Sequence, residues 1–287
     1  MDSSNPDWSM EEIHLVFNPL EMLGLTGLEI VWDVIAFVIS FIIILMLVQI
    51  NAAIEKSGAL STTVTRKVIH TFAAPLWIVT WILFSGSIFS RWLAMIVPLL
   101  FVILFVAIGT GKMINEDFVG SMSRSGNPRE LLGGTLYYAT MMVIFAIIWF
   151  YVPAPGNLAQ ACPTAIIAFA CLAGGDGVAD VVGRKYGGEK KFGIGGAEKT
   201  IVGSIGMFIG SLLFSIILLL IFSLEATGFS VLSMLVGLII ISIVVTIVEA
   251  LTPKGLDNIT IPIAAVIMVF LMPYLGVPWP YPFLTLF

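Results

Sequence analysis

Asp176, Asp180 and Arg184 stand four residues apart in the run G-G-D-G-V-A-D-V-V-G-R. A helix through them presents two carboxylates and a guanidinium on one face. Two carboxylates one turn apart suit a hard divalent cation such as Mg2+, which completes its shell with phosphate oxygens and water. Gly174, Gly175 and Gly177 remove side chains where a ligand or a neighbouring helix comes close. Downstream, Lys199 opens an apolar run with Gly203 and Ser204 in its first turn, an arrangement that can hold phosphate at a helix N-terminus. The stretch G-I-G-G-A-E-K-T, Gly193 to Thr200, nearly spells a P-loop. Glu198 stands where that loop has glycine, an acid there repels phosphate, and no strand precedes it, so the P-loop reading fails. Glu249 ends a further apolar run, and Asp257 and Asn258 precede the next. A carboxylate at such a place can bind a second metal, pair with a basic residue, or take a proton from a hydroxyl.

The elements that position these groups are membrane helices. Mean hydropathy is +1.07 and 59% of residues are hydrophobic, which excludes an ordinary soluble domain. Apolar runs able to cross about 30 Å of hydrocarbon recur throughout, so the expected class is an all-α, polytopic membrane protein. About eight spans are expected: Ile30–Ile50, Thr71–Ile88, Trp92–Ile108, Gly134–Val152, Ala161–Gly183, Ile201–Phe222, Val231–Leu251 and Ile259–Gly276. The second and last are the weakest, being short and carrying Pro75 and Pro273, and Pro98 bends or shortens the third. With this count, all of the 13 basic residues except Arg91 fall in loops on one side, which the positive-inside rule makes cytoplasmic. The chain then divides into an extracytoplasmic segment, 1–29, and a single transmembrane domain, 30–287. Nothing in the charge pattern points to nucleic acid.

The remaining segments say less. The acidic stretch before Ile30 can be a short interfacial helix or a solvated lead-in, and it lacks the basic start of a cleavable signal peptide. The terminal P-W-P-Y-P-F reads as an aromatic anchor at the outer interface. Cys162 and Cys171 lie more than two helical turns apart, so a disulfide between them is not expected and they read as packing residues.

Two further loops face the same side as the acidic motif. One carries Arg66, Lys67 and His70; the other carries Ser123, Arg124, Glu130 and Tyr137. Each alone reads as ordinary positive-inside charge or a structural histidine, and it is their convergence on one membrane face that makes them site candidates.

Taken together, four motifs resemble those of the polyprenol kinases: dolichol, phytol and farnesol kinases. They are R-K-x-x-H at Arg66–His70, S-R-S-G-N-P-R-E-L-L-G-G-T-L-Y-Y at Ser123–Tyr138, G-D-G-V-A-D-V-V-G-R with K-T-I-V-G-S, and Glu249 with D-N-I-T-I-P. The resemblance runs from about Arg66 to Pro262 and extends more remotely to the CDP-diacylglycerol synthases. It implies an integral membrane enzyme that phosphorylates the hydroxyl of an isoprenoid alcohol with CTP as donor, on the cytoplasmic face. In that reading Asp176 and Asp180 hold Mg2+, and Lys199, Arg184 and Arg124 neutralise the transferring phosphoryl group. Glu249 or Asp257 acts on the hydroxyl, and Arg66, Lys67, His70, Glu130, Gly203, Ser204 and Asn258 bind the nucleotide. A cytidylyltransferase acting on a lipid phosphate is the alternative, since the same metal and basic residues would serve it. A transporter is the third reading, disfavoured because ionisable groups gather at one interface rather than along the span interiors. The chain lacks the long membrane extension of large dolichol kinases and a plastid-type transit peptide, which points to a compact enzyme of a prokaryotic membrane.

Overall fold

The computed structural model describes residues 27–87, 89–123, 125–150, 163–223 and 231–277. Within them the chain is helical, and the one extended pairing is an isolated antiparallel bridge between Phe192 and Lys199. The helices, in order, are α1 (Glu29–Lys56), α2 (Thr62–Val79), α3 (Ser90–Gly109), the short α4 (Glu116–Met122), α5 (Gly134–Trp149), α6 (Thr164–Phe169), α7 (Asp176–Tyr186), α8 (Ile201–Ser223), α9 (Val231–Leu251) and α10 (Asp257–Leu271). Six stretches are long and apolar enough to cross a membrane, and these match six of the expected spans. The two weakest expectations correspond to α2, which is amphipathic and carries Arg66 and Lys67, and to α10, which is a shorter apolar helix.

One span is unlike the rest. α6 and α7 form a continuous stretch from Thr164 to Tyr186, joined by a π-helical segment at Ala170–Gly175 immediately before Asp176. This stretch is the most buried of the six, so it is the axis of the bundle. A π segment inserts residues into the helical register and re-aims the side chains C-terminal to it, and it can form here because alanine and glycine leave room for neighbours. The glycines serve helix packing rather than a ligand. A Cβ on Gly174 would lie 2.2 Å from the Phe214 ring, and one on Gly177 would lie 2.3 Å from Thr71 Oγ1. α8 therefore runs close along this span, and α2 comes close enough to reach Asp176.

The end of the bundle away from the charged motifs is tied by a buried acid. Asp33 on α1 is fully buried and accepts from Ser85 N at 2.6 Å, Ser87 Oγ at 2.8 Å and Ser90 Oγ at 2.7 Å. These bonds clamp the turn between α2 and α3. Arg91, the basic residue expected apart from the others, donates to the Ile147 carbonyl at 3.2 Å near the C-terminal end of α5, where the helix macrodipole favours a cation. The aromatic C-terminal run, Cys162 and most of the N-terminal segment lie outside the described residues, while Cys171 is buried and unbridged.

Candidate active site

The charged ends of the spans meet in one cavity of about 980 Å³. Arg66, Lys67 and His70 come from α2, Glu130 from the turn before α5, and Asp176, Asp180 and Arg184 from α7. Lys199 and Ser204 come from the start of α8, Glu249 from the end of α9, and Asp257 and Asn258 from the start of α10. The sequence placed Arg66, Lys67 and His70 in a loop, whereas they occupy the first turns of α2. Helix brings Lys67 and His70 onto one face, a spacing of three, and both meet the same acid.

Asp176 is the centre of the arrangement. Its Oδ2 accepts from Lys67 Nζ at 2.6 Å and contacts His70 Nε2 at 3.1 Å, with Lys67 and Asp176 both largely buried. Burial and the neighbouring Lys67 push the His70 imidazole down to about 4, against the pull of Asp176, so it is neutral at pH 7 and can meet this oxygen only as an Nε2–H donor. Asp180 lies one turn on, 3.9 Å from Lys67 and bonded to Arg184 Nε at 2.8 Å, which realises the expected i, i+4, i+8 face.

His70 is held from behind by Tyr138. The phenol hydroxyl donates to the His70 carbonyl at 2.8 Å and accepts from the Ala74 N–H at 3.2 Å, the two groups that an unbroken helix would pair with each other. The rings meet edge-on at 4.6 Å. The sequence reading singled out Tyr137 instead. Its neighbour does this work because the helical phase of α5, which buries Tyr138, turns it toward α2.

The near-P-loop is a hairpin. Phe192 N donates to the Lys199 carbonyl at 2.9 Å and Lys199 N to the Phe192 carbonyl at 2.7 Å. Gly195 takes a left-handed φ of 57° at its tip, where a Cβ would also lie 2.8 Å from Pro253 Cβ. Glu198 pairs with Lys191 at 2.5 Å across the hairpin. This geometry delivers Lys199 to the buried carboxylate of Glu249, with which it forms a hydrogen-bonded ion pair. Of the three roles left open for Glu249, pairing with a base is the one observed. Burial pulls the Lys199 ammonium down, but Glu249, its hydrogen bond, and the charges of Asp176 and Asp257 outweigh that and hold it above the ordinary lysine value. Asp257 is pushed above the usual carboxylate range, chiefly by burial and then by Asp176.

Gly203 lines the cavity, but its backbone is already engaged. Its N–H donates to Thr200 Oγ1 at 3.0 Å, which caps α8. A Cβ there would lie 3.2 Å from the Ala179 carbonyl, so this glycine serves the close passage of α8 along α7. Two other predicted groups remain oriented for a ligand. Ser204 Oγ and Asn258 Oδ1 line the cavity, buried and without a hydrogen-bond partner, a condition that buried polar atoms seldom keep. Glu130 accepts from Ser125 Oγ at 2.7 Å, and Arg124 lies outside the described residues.

The chain is similar to several curated plant proteins. A probable chloroplastic phytol kinase 1 from Oryza sativa subsp. japonica is 36% identical over 160 residues, 55% of this chain and 47% of that protein. The chloroplastic phytol kinase 1 of Arabidopsis thaliana is 32% identical over 171 residues, 60% of this chain and 53% of its own. The chloroplastic farnesol kinase of Arabidopsis thaliana is 33% identical over 184 residues, 64% and 56% of the two chains. The chain thus spans about half the length of the curated relatives it matches. No family model and no solved structure matches. Similarity to CDP-diacylglycerol synthases is not shown, and relatives from plant chloroplasts give no support to a prokaryotic origin. At 32–36% identity over about half their length, the chain is similar to proteins named phytol kinase and farnesol kinase.

Proposed function

We propose that this protein transfers the terminal phosphoryl group of a nucleoside triphosphate, CTP, to the hydroxyl of an isoprenoid alcohol. The observation that carries the proposal is the position of the Lys67–Asp176–His70 cluster, where charged groups from four inter-span regions meet at the polar mouth of a cavity that continues into the apolar slab. Such a site lets a membrane-dissolved alcohol meet a water-soluble phosphate donor. The relatives' names as phytol and farnesol kinases support the same reaction. The positive-inside distribution supports a cytoplasmic face.

The donor set fits a divalent cation. Asp176 and Asp180 offer hard oxygen ligands one turn apart in the cavity, and no cluster of three or more His, Cys, Asp or Glu ligands occurs among the described residues. Two carboxylates with phosphate oxygens and water completing the shell is the usual Mg2+ arrangement. When bound there, Mg2+ would neutralise phosphate charge and fix the geometry of transfer.

The chain's own residues account for the rest. Lys67, Lys199 and Arg184 line the cavity as cations and would balance charge on the transferring group, where electrostatics dominates the barrier. Glu249 aims Lys199. Asp257, whose carboxyl is more basic than usual, is assigned to accept the proton of the prenol hydroxyl, because Glu249 is already engaged. Ser204 and Asn258 would supply hydrogen bonds to the nucleotide.

The test is incubation of the purified protein with γ-labelled CTP, ATP, GTP or UTP and either a prenol panel or a lipid phosphate. Label appearing on the lipid is expected with CTP. Label released as pyrophosphate would instead establish the cytidylyltransferase reaction, and no nucleotide-dependent product on any prenol would end the proposal.

A further inference from the structure

Beyond its charged mouth the cavity changes character. Val48 of α1, Ile69 of α2, Phe101 and Phe105 of α3, and Ala139 and Met142 of α5 line it continuously with the polar cluster. α3 ends and α5 begins at the charged end of the bundle, so their lining positions can be compared in depth. They run from Phe105 back to Val97 and from Gly134 on to Met142, which takes the cleft about 12 Å into the apolar slab at 1.5 Å per residue. Below Tyr138 the lining side chains are aliphatic or aromatic.

A hydrogen bond crosses between α2 and α3 just past the deepest lining residue of α3. Pro98 carries no N–H, so the Ala94 carbonyl loses its helical partner. The indole Nε1 of Trp77 donates to that carbonyl at 3.2 Å. Trp77 is fully buried and packs edge-on against Trp81 and Phe169, at 5.0 Å and 6.4 Å between ring centroids. This tie crosses from α2 to α3 one turn beyond Val97, where the lining contributed by α3 ends.

We infer that the cleft seats the hydroxyl-proximal part of the isoprenoid tail, and that the Trp77–Ala94 tie sets how much of the tail it holds. The inference rests on the kinase reading for the identity of the head group. The occupant follows from the walls: a branched hydrocarbon satisfies them, whereas a sugar or a peptide would bury hydrogen-bonding groups opposite none. Carbons beyond about 12 Å from the hydroxyl lie outside the cleft. Selectivity therefore falls on the units nearest the hydroxyl.

Two measurements on the full chain in detergent test this. A prenol bearing a diazirine on its second isoprene unit, added without nucleotide, should label Phe101 and Met142. Label on lipid-facing Ile103, or spread over the surface, overturns the cleft. Val97→Trp fills the deep end and should lower kcat/KM for farnesol and phytol by roughly tenfold for every two methylene groups displaced. It should leave a five-carbon allylic alcohol, and Leu100→Trp on the exposed face of α3, unaffected. Ala139→Leu, a smaller intrusion at mid-depth, carries the same prediction should Val97→Trp fail to fold. An unchanged long-to-short ratio in a folded variant, with wild-type turnover intact, sinks the cleft and spares the kinase. Labelling in the cleft without turnover on any prenol sinks the kinase reading and spares the cleft as a lipid site.

Discussion

The Lys199–Glu249 pair separates what the site needs to fold from what it needs to react. Glu249 is 2% exposed, and Lys199 is the one cation hydrogen-bonded to it among the contacts described. Substituting Lys199→Met strands a buried carboxylate. Breaking a fully buried pair costs about 3–5 kcal/mol. Lys199 keeps 18% of its side-chain surface, so some solvent reaches the pair and about 2–3 kcal/mol is the better figure. For a domain of this size that lowers the melting temperature by roughly 4–12 °C. Glu249→Gln removes the opposite charge and leaves an amide that Lys199 can still donate to, so its cost is smaller. The double variant has no stranded charge and should recover most of the stability lost in Lys199→Met. A double-mutant cycle measured as thermal melting in detergent, with lipid phosphorylation assayed in the same four proteins, reads both quantities. Stability should return in the double variant and turnover should not, because Lys199 is assigned to the phosphoryl group. A double variant no more stable than Lys199→Met alone would refute the burial argument. Recovery of full turnover would remove Lys199 from catalysis.

Four other outcomes rest on single contacts. Asp176→Asn should reduce turnover roughly 10²–10³-fold while the fold persists, and unchanged turnover would displace the centre of the site. Gly177→Ala places a Cβ 2.3 Å from Thr71 Oγ1, costs about 1–3 kcal/mol by overpacking, and should be largely relieved by Thr71→Ala in the same chain; melting curves of the single and double variants decide it. Tyr138→Phe loses both hydrogen bonds at the His70–Ala74 turn, about 1–2 kcal/mol, and should lower kcat/KM as well as the melting temperature, since His70 loses its support. Asp257 has a folded pKa raised above its ordinary 3.8, so the stability linked to it is present below that value and lost as pH rises through the folded one. Asp257→Asn escapes this loss. It should melt above the wild type at pH 7, with the gap closing toward pH 4, and a gap that widens on acidification would reverse the argument.

The spans were legible because lipid demands long apolar runs, and Val231–Leu251 matches the expected span residue for residue. The face shared by Asp176, Asp180 and Arg184 was legible because helical spacing alone sets it. Long-range partners were not. Nothing local says that Lys199 meets Glu249, fifty residues on, rather than a phosphate, or that Thr200 takes the Gly203 N–H. The π segment before Asp176 depends on which neighbours fit against small residues. Pro98 was readable as a bend, but its second effect, freeing a carbonyl for Trp77, appears only when the Trp77 indole of α2 reaches across to α3.

The pairing of three central carboxylates with cations also bears on how the site works. Asp176 and Asp180 are held by Lys67 and Arg184, and Glu249 by Lys199. Burying Asp176 and Glu249 at the edge of an apolar slab is tolerable only with Lys67 and Lys199 against them. On the proposed reading, a metal-bound triphosphate exchanges partners rather than adding charge. Its phosphates would take over the lysines and the arginine, and its cation would take over the released carboxylates. Neither half of the exchange is favourable alone: a bare anion would leave the aspartates unpaired, and a bare cation would leave Lys67 facing it. The site should therefore bind nucleotide and Mg2+ together far more tightly than either singly. Calorimetric titrations of CTP with and without Mg2+, and of Mg2+ alone, measure that coupling. Equal affinity for CTP in the presence and absence of Mg2+ would show that the ion pairs do not open as a set.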